Sequence, residues 1–250
     1  MFAIISDIHA NLAALKVVMA DIAERGIKEV FCLGDIVGYG PEPKECLDLI
    51  IENNIASIMG NHDHAVFYEP TNFNTGAEKA SYWSRQVLED EPDREKRNQR
   101  WDFLGRLNLR LQMGNILMVH ASPRRPVTEY IFPDDIYTNP NKINAIFERV
   151  DHLCFVGHTH VPGVFLEDPD FYSIDELDYC YTISNQERAV INVGSVGQPR
   201  DQDPRSAYVI VNEEKIEFIR LEYPIEETRQ KVLANPYLDN FEGERLLAGR

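Results

Sequence analysis

Apolar residues along the first sixty positions come in blocks, each closed by a short polar cluster. "FAII" (2–5) gives way to Ser6-Asp7, "EVFCL" (29–33) to Gly34-Asp35, and "IASIM" (55–59) to Gly60-Asn61-His62. Between them lie "NLAALKVVMADIAE" (11–24), with Leu12, Leu15, Val18, Met19 and Ile22 at helical spacing, and "PEPKECLDLIIEN" (41–53). The pattern predicts β-α-β-α-β. Asn11 is placed to cap the first helix, and Pro43 sits near the first turn of the second, where a missing N–H costs little. Strands that are apolar throughout imply a sheet covered on both faces.

From Asn74 to Leu107 the pattern becomes helical, with Tyr82, Trp83, Val87, Leu88, Trp101, Leu104 and Leu107 as apolar positions and Pro92 as a break. The charge run "EDEPDREKRNQR" reads as a solvated helix surface, and the aromatics as core of this insert. Strands return as "LRLQM", a Gly114-Asn115 turn, "ILMVH", "HLCFVGHTH", "AVINVGS" and "AYVIV". A second half richer in strands than the first predicts two packed mixed sheets flanked by helices. One domain over residues 1–250, with a helical insert at about 74–107, is the expected organisation. "YPIEETRQKVLANPYLDN" (223–240) reads as one helix with a short tail.

Charge narrows the partners. Twenty-five Lys and Arg against 41 Asp and Glu leave a net charge of −16, which opposes phosphate-backbone binding by clustered cations. Bulk nucleic acid and anionic membranes are therefore not expected partners, and a site for an anion must bring its own positive charge. The N-terminal "MFAIISD" lacks the basic region and length of a signal peptide, and no stretch reaches the roughly 18 apolar residues of a membrane span. Cys32, Cys46, Cys154 and Cys180 have no CxxC spacing, and Cys32 and Cys154 lie in apolar runs. A reducing, cytoplasmic setting is the expectation.

The polar clusters that close the strands share one chemistry. Asp7 and His9 follow the first strand, Asp35 the second, Asn61 and His62 the third; His120 ends "ILMVH", and His158 and His160 follow "CFVG". Five of the seven histidines occupy these ends, leaving His64 and His152 elsewhere. In extended backbone, the i, i+2 spacing of Asp7/His9 and of His158/His160 places each pair on one side. Mixed imidazole, carboxylate and amide ligands suit Zn, Fe, Mn or Ni, and seven are too many for one tetrahedral ion. They suit two ions about 3.5–4 Å apart sharing a carboxylate. Two divalent ions less the charges of Asp7 and Asp35 leave a cationic centre that favours a phosphate oxyanion.

These blocks, "DIH" (7–9), "GDIVG" (34–38), "GNHD" (60–63), "VH" (119–120) and "GHTH" (157–160), resemble in order and context those of the calcineurin-like metallophosphoesterase superfamily. "NVGSVGQPRD" (192–201) is similar to its bacterial and archaeal small-phosphodiesterase branch. The resemblance implies an α/β/β/α sandwich and hydrolysis of phosphodiesters or phosphomonoesters by metal-activated hydroxide. It implies one metal held by Asp7, His9, Asp35 and His160, and a second by Asp35, Asn61, His120 and His158, with Asp35 as bridge. His62 would face the leaving oxygen as general acid or charge stabiliser, with Asp63 orienting it. Family members acting on phosphoproteins or dinucleoside polyphosphates carry two arginines where this chain has Tyr39 and Met59. Replacement cations are sought in Arg124, Arg125 and Arg200, each of which also suits a surface or salt-bridge role. The alternative to an enzyme is a metal-binding scaffold or regulatory protein on the same fold.

Overall fold

The computed structural model describes residues 1–250. Its elements follow in chain order: β1 (Phe2–Ile5), α1 (Leu12–Glu24), β2 (Val30–Cys32), α2 (Pro43–Glu52), β3 (Ala56–Ser57), α3 (Asn61–Phe67), α4 (Thr75–Glu89) and α5 (Arg94–Arg106). After these come β4 (Arg110–Met113), β5 (Ile116–Val119), α6 (Asp135–Thr138), α7 (Pro140–Phe147), β6 (Leu153–Val156), β7 (Gly163–Leu166), β8 (Asp170–Ser173) and β9 (Cys180–Thr182). The chain ends with β10 (Ala189–Asn192), β11 (Ser206–Val211), β12 (Lys215–Leu221), α8 (Ile225–Leu233) and α9 (Asn240–Glu244), then a 3₁₀ turn over Arg245–Ala248.

Two six-stranded mixed sheets result, ordered β3-β2-β1-β11-β12-β9 and β4-β5-β6-β10-β7-β8. In the first, β1, β2 and β3 run parallel; in the second, β5, β6 and β10 do. Alternation along each strand explains why the runs are apolar throughout. Phe2 and Ile4 of β1 meet Leu153 and Phe155 of β6 between the sheets, while Ala3 and Ile5 face the helices α1 and α2. On the far side Cys154 and Val156 pack with Ile143, Ile146 and Phe147 of α7. The order is helix, sheet, sheet, helix.

Local chemistry sets several boundaries as expected: Asn11 Oδ1 accepts the Ala14 N–H at 3.2 Å, and Gly114 turns the β4–β5 hairpin with φ +59°. Other boundaries differ. β3 is only two residues long, and a helix starts at Asn61, directly behind Gly60. The insert divides into α4 and α5, with Asp93 Oδ1 capping the second helix at Glu95 N–H (2.9 Å). The buried face of α4 is Ala77, Ala80, Ser81, Ser84 and Leu88, and Tyr82 points outward, because close packing against α2 and α3 favours small side chains. The C-terminal helix stops at Leu233, since Pro236 cannot continue it, and a second short helix follows. No helix is long and apolar enough to cross a membrane, and all four cysteines are free thiols.

Candidate metal centre

Every metal-loving cluster lies past the carboxyl end of a parallel strand: Asp7 and His9 past β1, Asp35 past β2, Asn61 in the helix after β3, His120 past β5, and His158 and His160 past β6. The two sheets bring these ends together at one edge, the usual place for a ligand in open α/β architecture. The backbone there is not extended. Asp7, His9, Asp35, His158 and His160 all have positive φ, between 47° and 66°. The i, i+2 pairs therefore converge through tight left-handed turns rather than by strand alternation. Each such residue costs on the order of 1–2 kcal/mol and persists only where its surroundings hold it.

Cross-links supply that hold. The Asp7 N–H donates to Gly34 O (3.0 Å) and the His9 N–H to Asp35 O (2.9 Å). Asp7 O accepts from Gly197 N–H (3.0 Å) and from the Ser195 hydroxyl (2.8 Å), and Asp7 Oδ2 accepts the His158 N–H at 3.0 Å. Asp35 Oδ1 accepts the His62 N–H at 2.7 Å. Two glycines permit this closeness: a Cβ on Gly60 would lie 2.1 Å from Asp35 Oδ1, and one on Gly157 would lie 2.3 Å from Asp7 Oδ2. Gly60 itself has φ −86°, so what it contributes is absence of a side chain rather than a left-handed turn.

The remaining lone pairs converge in two overlapping groups. In the first, His9 Nε2 and His160 Nε2 are 3.1 Å apart, Asp7 Oδ1 lies 3.2 Å from His160 Nε2, and Asp35 Oδ2 lies 3.7 Å from His9 Nε2. In the second, His120 Nε2 is 3.0 Å from Asn61 Oδ1, 3.1 Å from His158 Nδ1 and 3.4 Å from Asp35 Oδ2. Separations of about 3.0–3.4 Å are those of neighbouring ligands around an ion with bonds of about 2.1 Å. Asp35 Oδ2 belongs to both groups, as a bridging carboxylate would. Asp7 Oδ1 is buried without a hydrogen-bond partner. His120 Nδ1 and His160 Nδ1 face the carbonyls of Leu33 (3.0 Å) and Gln198 (2.5 Å), which fixes the tautomer that leaves each Nε2 free for an ion. The donor set fits two divalent cations, and the seven ligand candidates from the sequence are all within it.

Electrostatics points the same way. Burial raises the Asp7 and Asp35 carboxyls, but the surrounding imidazoles outweigh it and hold both below the usual range. Burial lowers His9, and lowers His158 to about 3, keeping them neutral. Ionised carboxylates and neutral imidazoles are the forms that bind metal. His120 differs: burial lowers it, but the Asp35 carboxylate prevails and raises it to about 9.

His62 is buried beside this set, its ring centroid 4.9 Å from His9, 4.4 Å from Tyr39 and 4.6 Å from Phe73. Burial lowers it to about 4. Asp63 makes no hydrogen bond to the His62 ring, whose Nδ1 is buried without a partner. Its carboxylate instead accepts the N–H groups of Asp35 (2.7 Å), Ile36 (2.9 Å), Val37 (3.3 Å) and Gly60 (3.0 Å), so Asp63 orients the loop carrying Asp35 rather than the His62 ring.

The three arginines separate. Arg200 Nη2 donates to Gln198 Oε1 (2.7 Å), its guanidinium lies 5.7 Å from the Tyr39 ring centroid, and its charge acts on His9, His62 and His160. Arg124 is instead engaged by Glu129 at 3.0 Å, and Arg125 is exposed. Sequence reasoning missed Phe73, Tyr130 and Phe132. The Tyr130 ring stacks on His158 at 3.9 Å between centroids, and Phe132 lies parallel to Tyr130. The available signal was the aromatic pair in "YIF" (130–132), after "VH" (119–120) and in a stretch with no helical or strand period.

Residues 1–215 match the model of the calcineurin-like phosphoesterase superfamily domain. The uncharacterized protein MJ0912 of Methanocaldococcus jannaschii is 39% identical over 100% of this chain and 98% of its own length. The crystal structure of a metallophosphoesterase from Sphaerobacter thermophilus superposes with a TM-score of 0.80 at 36% identity, covering 100% of this chain and 98% of that one. The hypothetical protein PH1004 from Pyrococcus horikoshii has a TM-score of 0.75 at 19% identity, with the same coverages.

Proposed function

The chain belongs to the calcineurin-like phosphoesterase superfamily, hydrolases acting on phosphoric esters, and from that premise we propose that it is a dinuclear-metal phosphodiesterase. The observation that carries this reading is the pair of donor groups sharing Asp35 Oδ2. Asp7, His9, Asp35 and His160 would hold one divalent ion, and Asp35, Asn61, His120 and His158 the other. When bound, two such ions supply Lewis acidity and a hydroxide nucleophile at neutral pH.

The chain's own groups divide the remaining work. Arg200, bonded to an amide rather than a carboxylate, is placed to bind a non-bridging phosphoryl oxygen. His62 is held neutral by burial, so it serves the leaving oxygen as a hydrogen-bond donor that stabilises developing charge. Tyr39 keeps both in place, with His62 against its ring and the Arg200 guanidinium over it. With one arginine free for the phosphate, the site suits the single charge of a diester better than a monoester dianion. A small phosphate ester, in a cytoplasmic setting and without nucleic-acid or membrane partners, is the substrate consistent with the net charge of −16.

The test is hydrolysis of a matched chromogenic diester and monoester by metal-free protein reconstituted with Mn, alongside His62→Ala. Diester turnover that falls by about 10²-fold or more in the variant supports the reading. Monoester turnover alone makes the protein a phosphatase, and silence on both with two metals bound favours a non-catalytic scaffold.

A further inference from the structure

The segment after β5 carries chemistry that the metal ligands and His62 do not use. Tyr130 and Phe132 are 43% and 48% exposed, while Ile131 between them is 3% exposed and packs in the core with Ile136 and Ile143. This out-in-out alternation puts both rings on one side of the segment. They are nearly parallel (3°, centroids 5.3 Å apart), and Tyr130 in turn stacks on the His158 imidazole at 3.9 Å and 28°. A ladder of three rings therefore runs from a candidate metal ligand to solvent.

Polar anchors hold the ladder. Glu129 accepts from the Ser122 hydroxyl (2.5 Å) and pairs with Arg124 (3.0 Å); Asp135 accepts the Phe132 N–H (2.7 Å) and the Lys142 ammonium (2.5 Å). Outward placement of two large aromatic rings is thus built in rather than a frayed end. Single exposed aromatics need no explanation, but a fixed parallel pair continuous with the centre that would seat a phosphorus atom does.

We propose that the Tyr130–Phe132 ladder is a stacking subsite, and that the ester hydrolysed carries a nucleobase or a similarly planar aromatic group. This rests on the phosphoesterase reading of the centre. Parallel rings extend a stack by one more flat ring, and every nucleobase offers a π-face to them. The acidic surface disfavours a long polynucleotide, so the substrate is a small diester of a nucleoside phosphate, and the nucleoside phosphate is the product that keeps the base in the subsite.

The experiment compares adenosine 5′-monophosphate with ribose 5-phosphate as ligands of the Mn-loaded full chain, by calorimetry. Both carry the same phosphate, so the difference reports the base alone. Wild type is expected to bind the base-bearing ligand about tenfold tighter or more. Phe132→Leu should remove most of that ratio, and Phe132→Trp should keep it. Equal affinities in wild type, failure of both ligands to bind, or a ratio untouched by Phe132→Leu would each overturn the subsite. Turnover of chromogenic esters with equal affinities fails the subsite alone. A preserved ratio without turnover of any ester fails the phosphoesterase reading and leaves the subsite standing.

Discussion

Gly60→Ala tests the link between backbone packing and the metal centre most directly. The added methyl would sit 2.1 Å from Asp35 Oδ1 and 2.3 Å from Asp35 N, and the first of these falls about 1.4 Å short of an optimal contact of about 3.5 Å. The obstruction is not the far end of a flexible side chain but the backbone and carboxylate of Asp35. Relief must move Asp35, whereas ligand distances tolerate only about 0.2 Å. The displaced carboxylate also loses the 2.7 Å bond from the His62 N–H. A lost bond to a charged acceptor and an overpacked core together give roughly 3–6 kcal/mol of destabilisation. Urea unfolding of the metal-free chain measures this, and elemental analysis of protein desalted after Mn loading counts the ions. Wild type should retain two ions per chain and the variant one or none. Gly76→Ala is the control, because a Cβ there meets nothing nearer than a Glu242 carboxylate oxygen at 3.3 Å. A Gly60→Ala protein within about 0.5 kcal/mol of wild type that still holds two ions would refute the packing argument.

Asp63→Ala strips the acceptor from four buried N–H groups and should lower unfolding free energy by at least about 3 kcal/mol before any metal is added; unchanged stability with lost turnover would instead return Asp63 to His62. Saturating Mn should raise the melting temperature, with about 2.7 kcal/mol of stabilisation at a hundredfold excess over Kd, reversed by chelator; a melting curve indifferent to Mn would contradict the donor geometry. Cys32, Cys46 and Cys154 are buried, and burial pushes their thiols up, so a disulfide reagent should titrate only Cys180 in the native chain and all four thiols in denaturant. Rapid labelling of more than one native thiol would contradict the burial.

What the sequence disclosed follows from which signals are local. Strands apolar on both faces announced a covered sheet, and a polar cluster at each strand's end announced an edge site, because both depend only on neighbouring residues. Left-handed backbone at Asp7, His9, Asp35, His158 and His160 was not legible, since those conformations are imposed by bonds from Gly34, Ser195, Gly197 and one another, far apart in the chain. β12 escaped because Lys215 and Glu217 alternate with Ile216 and Phe218, a half-exposed pattern that charge obscures. The helix at Asn61 escaped because its start depends on Asp63 reaching back to the Gly60 N–H, a capping contact hidden by the more conspicuous histidines. Arg200 and Arg124 looked alike in sequence, and only Glu129 separates them, by engaging Arg124.

The candidate metal centre is, in physical terms, a seam. Asp7, His9, Asp35 and Asn61 belong to the first sheet's edge, and His120, His158 and His160 to the second's. Each donor group takes members from both, so the distances that define it, such as 3.1 Å between His9 and His160, are set by how far apart the sheets pack. That spacing is fixed by Phe2, Ile4, Phe31 and Leu33 on one side and Met118, Leu153 and Phe155 on the other, a core in which a missing methylene is felt. The hydrogen bond from the His158 N–H to the Asp7 carboxylate ties the seam. The strained turns are braced from both sides of the seam: Asp7 by the His158 N–H across it, and His9 and Asp35 by their own N–H bonds to Asp35 O and the Asp63 carboxylate within the first sheet's edge. The convergence of the donor atoms and the packing of the two sheets are therefore one property.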